Sequence, residues 1–135
     1  MHFWLVKSEP SSYSWQNLLQ DKQTVWDGVR NYQAKKYLAG MKLNDIVLFY
    51  HSNTKIKGVV GIAKITKEAY PDPNDNNWIV VDIAPVKSLD NIVELKTIKT
   101  NKLLQNLMLI KQSRLSVMPV SEIEFNQIIR LSTHN

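Results

Sequence analysis

Residues 25–40, VWDGVRNYQAKKYLAG, place Trp26, Asp27, Gly28, Arg30, Asn31 and Tyr32 in one short loop ahead of a helical pattern. A helix start needs a cap and a turn is helped by a glycine, but neither requires an indole, a guanidinium and a phenol together. Such a set suits a planar, polar ligand, with rings on its face and amide or charged groups at its edge. Three more stretches put an aromatic beside polar residues where an expected strand meets a loop: Tyr50 with His51 and Ser52, Tyr70 with Pro71 and Asp72, and Trp78. Stacking a base on an aromatic contributes about 1–3 kcal/mol, and Asn, Ser or backbone groups can read the edge of the same base. Taken singly, each of these rings is more often a core residue. Their occurrence together with Asn31, Ser52 and two basic segments favours a site.

Those basic segments are defined by what they lack. The chain carries 17 Lys and Arg against 12 Asp and Glu, a net charge of +5. Residues 28–44 contain no acid but include Arg30, Lys35, Lys36 and Lys42, and residues 95–121 contain no acid but include Lys96, Lys99, Lys102, Lys111 and Arg114. Clustered charge of one sign attracts polyanions, although solvated lysines on surface helices give the same pattern.

Catalytic chemistry has less support. Of three histidines, His2 and His134 stand near the ends and only His51 lies in the body, so no histidine cluster has metal-ligand spacing. His51 beside Ser52, with Asp27 and Asp82 elsewhere, lacks a nucleophile elbow, and adjacent residues on a strand point to opposite faces. Gly28, Gly40, Gly58 and Gly61 form neither a dinucleotide nor a phosphate-loop pattern, and Asp72 and Asp75 fall in turn-rich sequence. No cofactor or metal is expected, and a non-catalytic protein is. The alternatives are a general RNA-binding module and, behind it, an enzyme using Asp27, His51 or Asp82.

The elements that must position these residues can be traced along the chain. HFWLVKSEP reads as a strand ending at Ser8 or Glu9, because Pro10 forces its predecessor away from helical angles. Trp15, Leu18 and Leu19 behind serine caps mark a short amphipathic helix, and QTVWD a brief strand. Asn31 caps the helix YQAKKYLAGM, with Gly40 at its left-handed C-terminal position. DIVLFYHS and GVVGIAKITKEAY form an antiparallel hairpin around NTKIK. PDPNDNN reads as a loop before the strand WIVVDIAPV. A helix over IVELKTIKTNKLLQNL and an extended MLIKQSRLSVMPV follow. The final helix starts at a capping box, Ser121 and Glu124, with Val120 and Phe125 at the spacing of a hydrophobic staple.

Five or six mostly antiparallel strands with helices at the ends, and no regular β-α-β alternation, predict an α+β fold closed as a small, partly open barrel. At 135 residues, with 44% hydrophobic and 21% charged, one domain is expected. There is no cysteine, and no stretch approaches the roughly 20 apolar residues of a membrane span. No membrane association and a cytoplasmic location are therefore expected.

In order, WLVKSEP (4–10), VWDGVRNYQAKKYL (25–38), FYHS (49–52), GVVGIAKITKEAYPDP (58–73), WIVVDI (78–83) and RLSVMPVSEIEF (114–125) resemble the EVE domain family, over nearly the whole chain. The resemblance implies a PUA-like fold related to YTH domains, a mixed, mostly antiparallel, partly open β-barrel with peripheral helices. It also implies recognition of a modified base, such as modified cytosine in DNA or a modified base in RNA. Carried over residue by residue, Trp26 and Trp78 are stacking walls, and Lys7, Ser8 and Glu9 line the entrance or read an edge. Asn31 bonds the base or serves only as helix cap; Tyr50, His51 and Ser52 supply the floor; Tyr70, Pro71 and Asp72 form a rim loop. Arg30, Lys35, Arg114 and Ser116 are the implied phosphate contacts. The partner is nucleic acid, the protein is expected as a monomer, and any response would come from a separate effector. The loop YPDPNDNNW is shorter than in larger relatives, which puts extensive strand contacts in doubt. One buried methyl stabilises by about 0.8 kcal/mol, roughly fourfold in affinity, so strong discrimination needs a polar contact as well.

Overall fold

The computed structural model describes residues 1–133; His134 lies outside them. Strand β1 (Phe3–Ser8) is followed by α1 (Trp15–Asp21), β2 (Thr24–Trp26), α2 (Tyr32–Gly40) and β3 (Ile46–His51). Two long strands come next, β4 (Gly58–Asp72) and β5 (Asp75–Glu94). The chain then runs through α3 (Leu95–Thr100), a 3-10 turn (Lys102–Leu104), α4 (Met108–Lys111), β6 (Val117–Val120) and α5 (Glu122–Ser132).

The helix starts follow from their caps. Ser14 Oγ accepts from the Asn17 backbone N–H while Asn17 Oδ1 accepts from the Ser14 N–H, and Ser121 and Glu124 repeat this reciprocal arrangement at α5. At α2, Asn31 Oδ1 accepts from the Ala34 N–H at 2.9 Å. Phe125 stacks on Phe3 with centroids 4.4 Å apart, and Phe3 pairs with Val120, so the apolar residues around the α5 cap fasten that helix to β1.

All six strands form one sheet in the order β2-β5-β4-β3-β1-β6. Every pairing is antiparallel except β1 with β3, which α1, β2 and α2 connect as a crossover. Three strand spacings separate β2 from β3 in this order, about 14 Å in a flat sheet. Trp26 of β2 nevertheless meets Phe49 of β3 edge to face at 5.5 Å between centroids. The sheet must therefore curl, and the register shifts along β3-β4 and β4-β5 are the bulges that bend it. Its two edges, β2 and β6, do not pair with each other, so the barrel stays partly open along a seam. Inside lie Leu5, Leu18, Leu38, Phe49, Ile65 and Ile83, all fully buried. Among the described residues no helix is long and apolar enough to cross a membrane.

Four local expectations change. Gly40 is the last residue of α2 and lacks a left-handed φ; Met41 ends the helix in extended geometry, and Trp4 Cη2 lies 3.5 Å from where a Gly40 Cβ would stand. Strand β5 runs on through Pro85 to Glu94, because irregular pairing opposite Ile62 and Ala63 tolerates a residue without an N–H. The helix expected from residue 92 consequently starts at Leu95 and breaks after Thr100. The extended segment expected from Met108 begins instead as the single turn α4.

Candidate functional site

A cavity of about 810 Å³ opens at the seam of the barrel, a volume within the usual small-ligand range of about 300–1,000 Å³. Three parts of the chain build it. The end of β1 supplies Lys7, Ser8 and Glu9, and the turn behind it adds Ser12 and Tyr13. Gln23, strand β2 and the loop after it supply the lining from Gln23 through Arg30. Ser116, just ahead of β6, closes the remaining side. The cleft is thus the gap left where the sheet's edges fail to meet.

Its aromatic wall is rigid. Trp26 is only 8% exposed and is held edge to face between Phe49 and Tyr13, whose ring lies 6.4 Å away. Tyr13 is fixed by donating to Asp21 Oδ2 at 2.8 Å, and its backbone carbonyl accepts from Ser8 Oγ. Burial pushes the Tyr13 hydroxyl up, with the Asp21 hydrogen bond adding to the effect and Thr24 opposing it. Lys7 Nζ donates to the Ser113 carbonyl at 2.7 Å, and burial lowers its pKa. Glu9 accepts from Asn53 Nδ2 at 3.2 Å. Gly28 turns the loop with φ +78°, in the left-handed region that favours glycine. Asp27, beside it, is exposed and takes part in no hydrogen bond or ion pair among the described residues, which leaves a carboxylate acceptor at the cleft for a ligand.

The structure brings Lys7, Ser8, Glu9, Trp26, Arg30 and Ser116 together and sends the other expected residues elsewhere. Asn31 caps α2 and borders a second, smaller groove with Gln33, Lys111 and Arg114. Tyr50 is buried under Lys7, 5.9 Å from its ammonium, and burial pushes its hydroxyl up to about 12. It lies behind the cleft without lining it. His51 points the opposite way: its Nε2 accepts from the Trp15 backbone N–H at 3.0 Å beside a separate cavity with Ser88, and burial lowers its pKa. Ser52 contributes its backbone N–H to the Ser8 carbonyl.

The expected rim loop is a strand. Pairing continues through Pro71 with Ile79 and Asp72 with Asp75, so only residues 73–74 turn. Tyr70 donates to Asp82 Oδ1 at 2.6 Å, which, with burial and nearby carboxylates, raises its hydroxyl to about 12. Asp72 is 2% exposed and pairs with Arg30 at 3.3 Å. Trp78 leaves the cleft altogether and stacks on Tyr32. Lys35 Nζ donates to the Asn77 carbonyl at 2.6 Å.

Sequence reasoning misses Ser12, Tyr13, Gln23 and Thr24 as parts of a binding cleft. Asp27 belongs to the loop expected to suit a planar ligand, but no edge-reading role is legible for it, because its position at the seam depends on how far the sheet curls. His51 does not join Asp27 and Asp82: it serves Trp15, while Asp82 accepts from the Tyr70 hydroxyl, whose surroundings also include Asp27. Among the described residues no three His, Asp or Glu side chains gather as a metal site.

Comparison with known proteins agrees with this architecture. Mouse (Mus musculus) thymocyte nuclear protein 1 is 38% identical over 165 residues, spanning 96% of this chain and 73% of the relative. The human THYN1 protein, solved in complex with 5-methylcytosine-containing DNA, superposes with a TM-score of 0.93 at 32% identity, covering 100% of this chain and 99% of that one. The YTH domain of Zygosaccharomyces rouxii MRB1, solved with N6-methyladenosine RNA, shares the fold at a TM-score of 0.64 and 13% identity, over 98% of this chain and 87% of its own. The sequence pattern of the EVE domain matches residues 2–131, from the first strand of the curled sheet to the helix pinned beneath it, and the chain belongs to the EVE domain family.

Proposed function

We propose that the chain is a non-catalytic nucleic-acid-binding module that takes one modified base, 5-methylcytosine in DNA being the first candidate, into the seam cleft. The observation that carries this reading is the cleft itself: a rigid indole wall at Trp26 and an uncommitted carboxylate at Asp27, in the same fold as a human relative solved with 5-methylcytosine DNA. Trp26 and Tyr13 bound the apolar side, and Asp27 accepts from an exocyclic amino group, as a carboxylate does from cytosine N4. Lys7, Ser8, Glu9 and Ser116 complete the polar side. Arg114 and Lys111, in the groove next to Asn31, follow the phosphates, while Arg30 and Lys35 add positive potential at the mouth.

Extracting a base from a duplex costs a few kcal/mol, so unpaired ligands bind with the smaller penalty. The test is equilibrium binding to matched single- and double-stranded oligonucleotides carrying cytosine, 5-methylcytosine, 5-hydroxymethylcytosine, adenine or N6-methyladenine at one position. A preference for one modified base is expected. Equal binding to all, falling steeply with salt, would replace this reading with a general RNA- or DNA-binding module.

A further inference from the structure

Next to the cleft mouth an exposed phenol is stacked on a half-buried indole. Tyr32, the first residue of α2, is 74% exposed, yet its ring lies on Trp78 with centroids 5.1 Å apart and planes 28° from parallel. A ring that escapes water gains by burial, and this one does not, so core packing does not explain its placement. Trp78 is also gripped by two cations: the Arg30 guanidinium is 5.3 Å and the Lys35 ammonium 5.6 Å from its ring. Both cations are tethered, Arg30 to the buried Asp72 carboxylate at 3.3 Å and to the Val29 carbonyl at 3.0 Å, and Lys35 to the Asn77 carbonyl. Arg30 belongs to this assembly and to the cleft lining at once. The result is a fixed stack of cation, indole and phenol at the mouth, whose cations and phenol come from residues 28–44, a stretch with no acid.

We infer that Tyr32 on Trp78 is a second subsite, a ledge on which the base adjacent to the inserted one stacks, so that the protein's ligand is an unpaired run of at least two nucleotides. The inference rests on the cleft's being a base pocket. Its chemistry is separate, since a ledge accepts any base: every base has a π-face, and the neighbouring cations suit the phosphate between the two nucleotides. Holding the ledge rigid before binding also removes the entropy cost of ordering a long side chain.

The experiment compares trinucleotides centred on 5-methylcytosine or on cytosine, whose flanking positions carry either bases or abasic sugars, against wild type, Tyr32→Ala and Tyr32→Phe. Wild type and Tyr32→Phe should bind the base-flanked ligand about 5- to 150-fold more tightly than the abasic one. Tyr32→Ala should lose that gain while binding the abasic ligand as wild type does; its exposure makes misfolding no concern, which a thermal melt verifies. An undiminished gain in Tyr32→Ala, or no gain in wild type, would overturn the ledge. A flank-dependent gain without preference for the methylated base would keep the ledge and overturn the pocket.

Discussion

Asp27→Asn isolates the polar half of the proposed recognition. Thymine carries the same 5-methyl group as 5-methylcytosine but presents a carbonyl oxygen where the latter has an amino group, so comparing the two holds the methyl contact constant. With Asp27 ionised, the amino group gains a charge-assisted hydrogen bond and the carbonyl faces another acceptor. A hydrogen bond to a charged group is worth about 1.5–3 kcal/mol, so wild-type protein should favour 5-methylcytosine over thymine by about 10- to 150-fold. The side-chain amide introduced by Asp27→Asn would offer a donor or an acceptor according to its flip, and the ratio should fall close to one. Asp27 is exposed and bonded to no other described residue, so stability should move by less than about 0.5 kcal/mol, which separates lost recognition from lost structure. The assay is titration of short single-stranded oligonucleotides differing only at that base, beside a denaturant melt. An unchanged ratio in Asp27→Asn would refute the assignment of Asp27 as the edge-reading group.

Other perturbations test the scaffold. Asp45, 3% exposed, accepts from Trp4 Nε1 and from the backbone N–H groups of His2 and Lys42; Asp45→Ala should lose about 2–4 kcal/mol in urea denaturation, because those donors stay behind in a dry site. Burial alone would raise the Asp45 pKa, but these hydrogen bonds outweigh it and bring it below the usual value, so its stabilisation is present above about pH 4 and fades as pH drops through the lowered folded value. His51 has its pKa lowered by burial and must stay neutral to accept from Trp15; stability should be full above about pH 6.5 and decline as pH falls toward the lower folded value, and His51→Gln should flatten that decline in pH-dependent melts. Gly61→Ala would drive a Cβ into the Trp15 ring and should destabilise by about 1–3 kcal/mol, read by thermal unfolding.

Local chemistry makes much of this fold legible. The Ser121 and Glu124 box, the Asn31 cap, the apolar run of β1 and the β-branched and aromatic runs of β3 and β4 each depend on neighbours in sequence, and each is found where expected. What stays hidden depends on pairing across the sheet. The expected strand stops at Val86, just after Pro85, yet the bulged partner strand lets β5 carry on to Glu94. Trp78 and His51 occupy strand ends, as binding aromatics often do, but the direction each side chain takes is set by sheet curvature. Trp26 is legible as a wall and not as a buried one, so its replacement by Ala would report on packing against Phe49 as much as on binding. The residues of β1 and β2 expected at the site do line the cleft, whereas Tyr50, His51 and Trp78, whose facing depends on how far the barrel closes, lie outside its lining.

The shortness of β2 has a consequence for how a ligand enters. Three residues, Thr24 to Trp26, hold this edge to β5 through pairs with Ile83, Asp82 and Val81, while β4 and β5 run together for most of their length. Opening free energies differ across a protein, and a three-residue edge belongs at the low end. Trp26 clamps one end of the strand between Phe49 and Tyr13, so opening belongs to its other end, and the amide protons of Thr24 and Val25 should exchange with solvent well before those of β4, with bound ligand slowing them selectively. Loosening at Thr24 would widen the entrance for a base while the indole wall and the rest of the sheet keep their places.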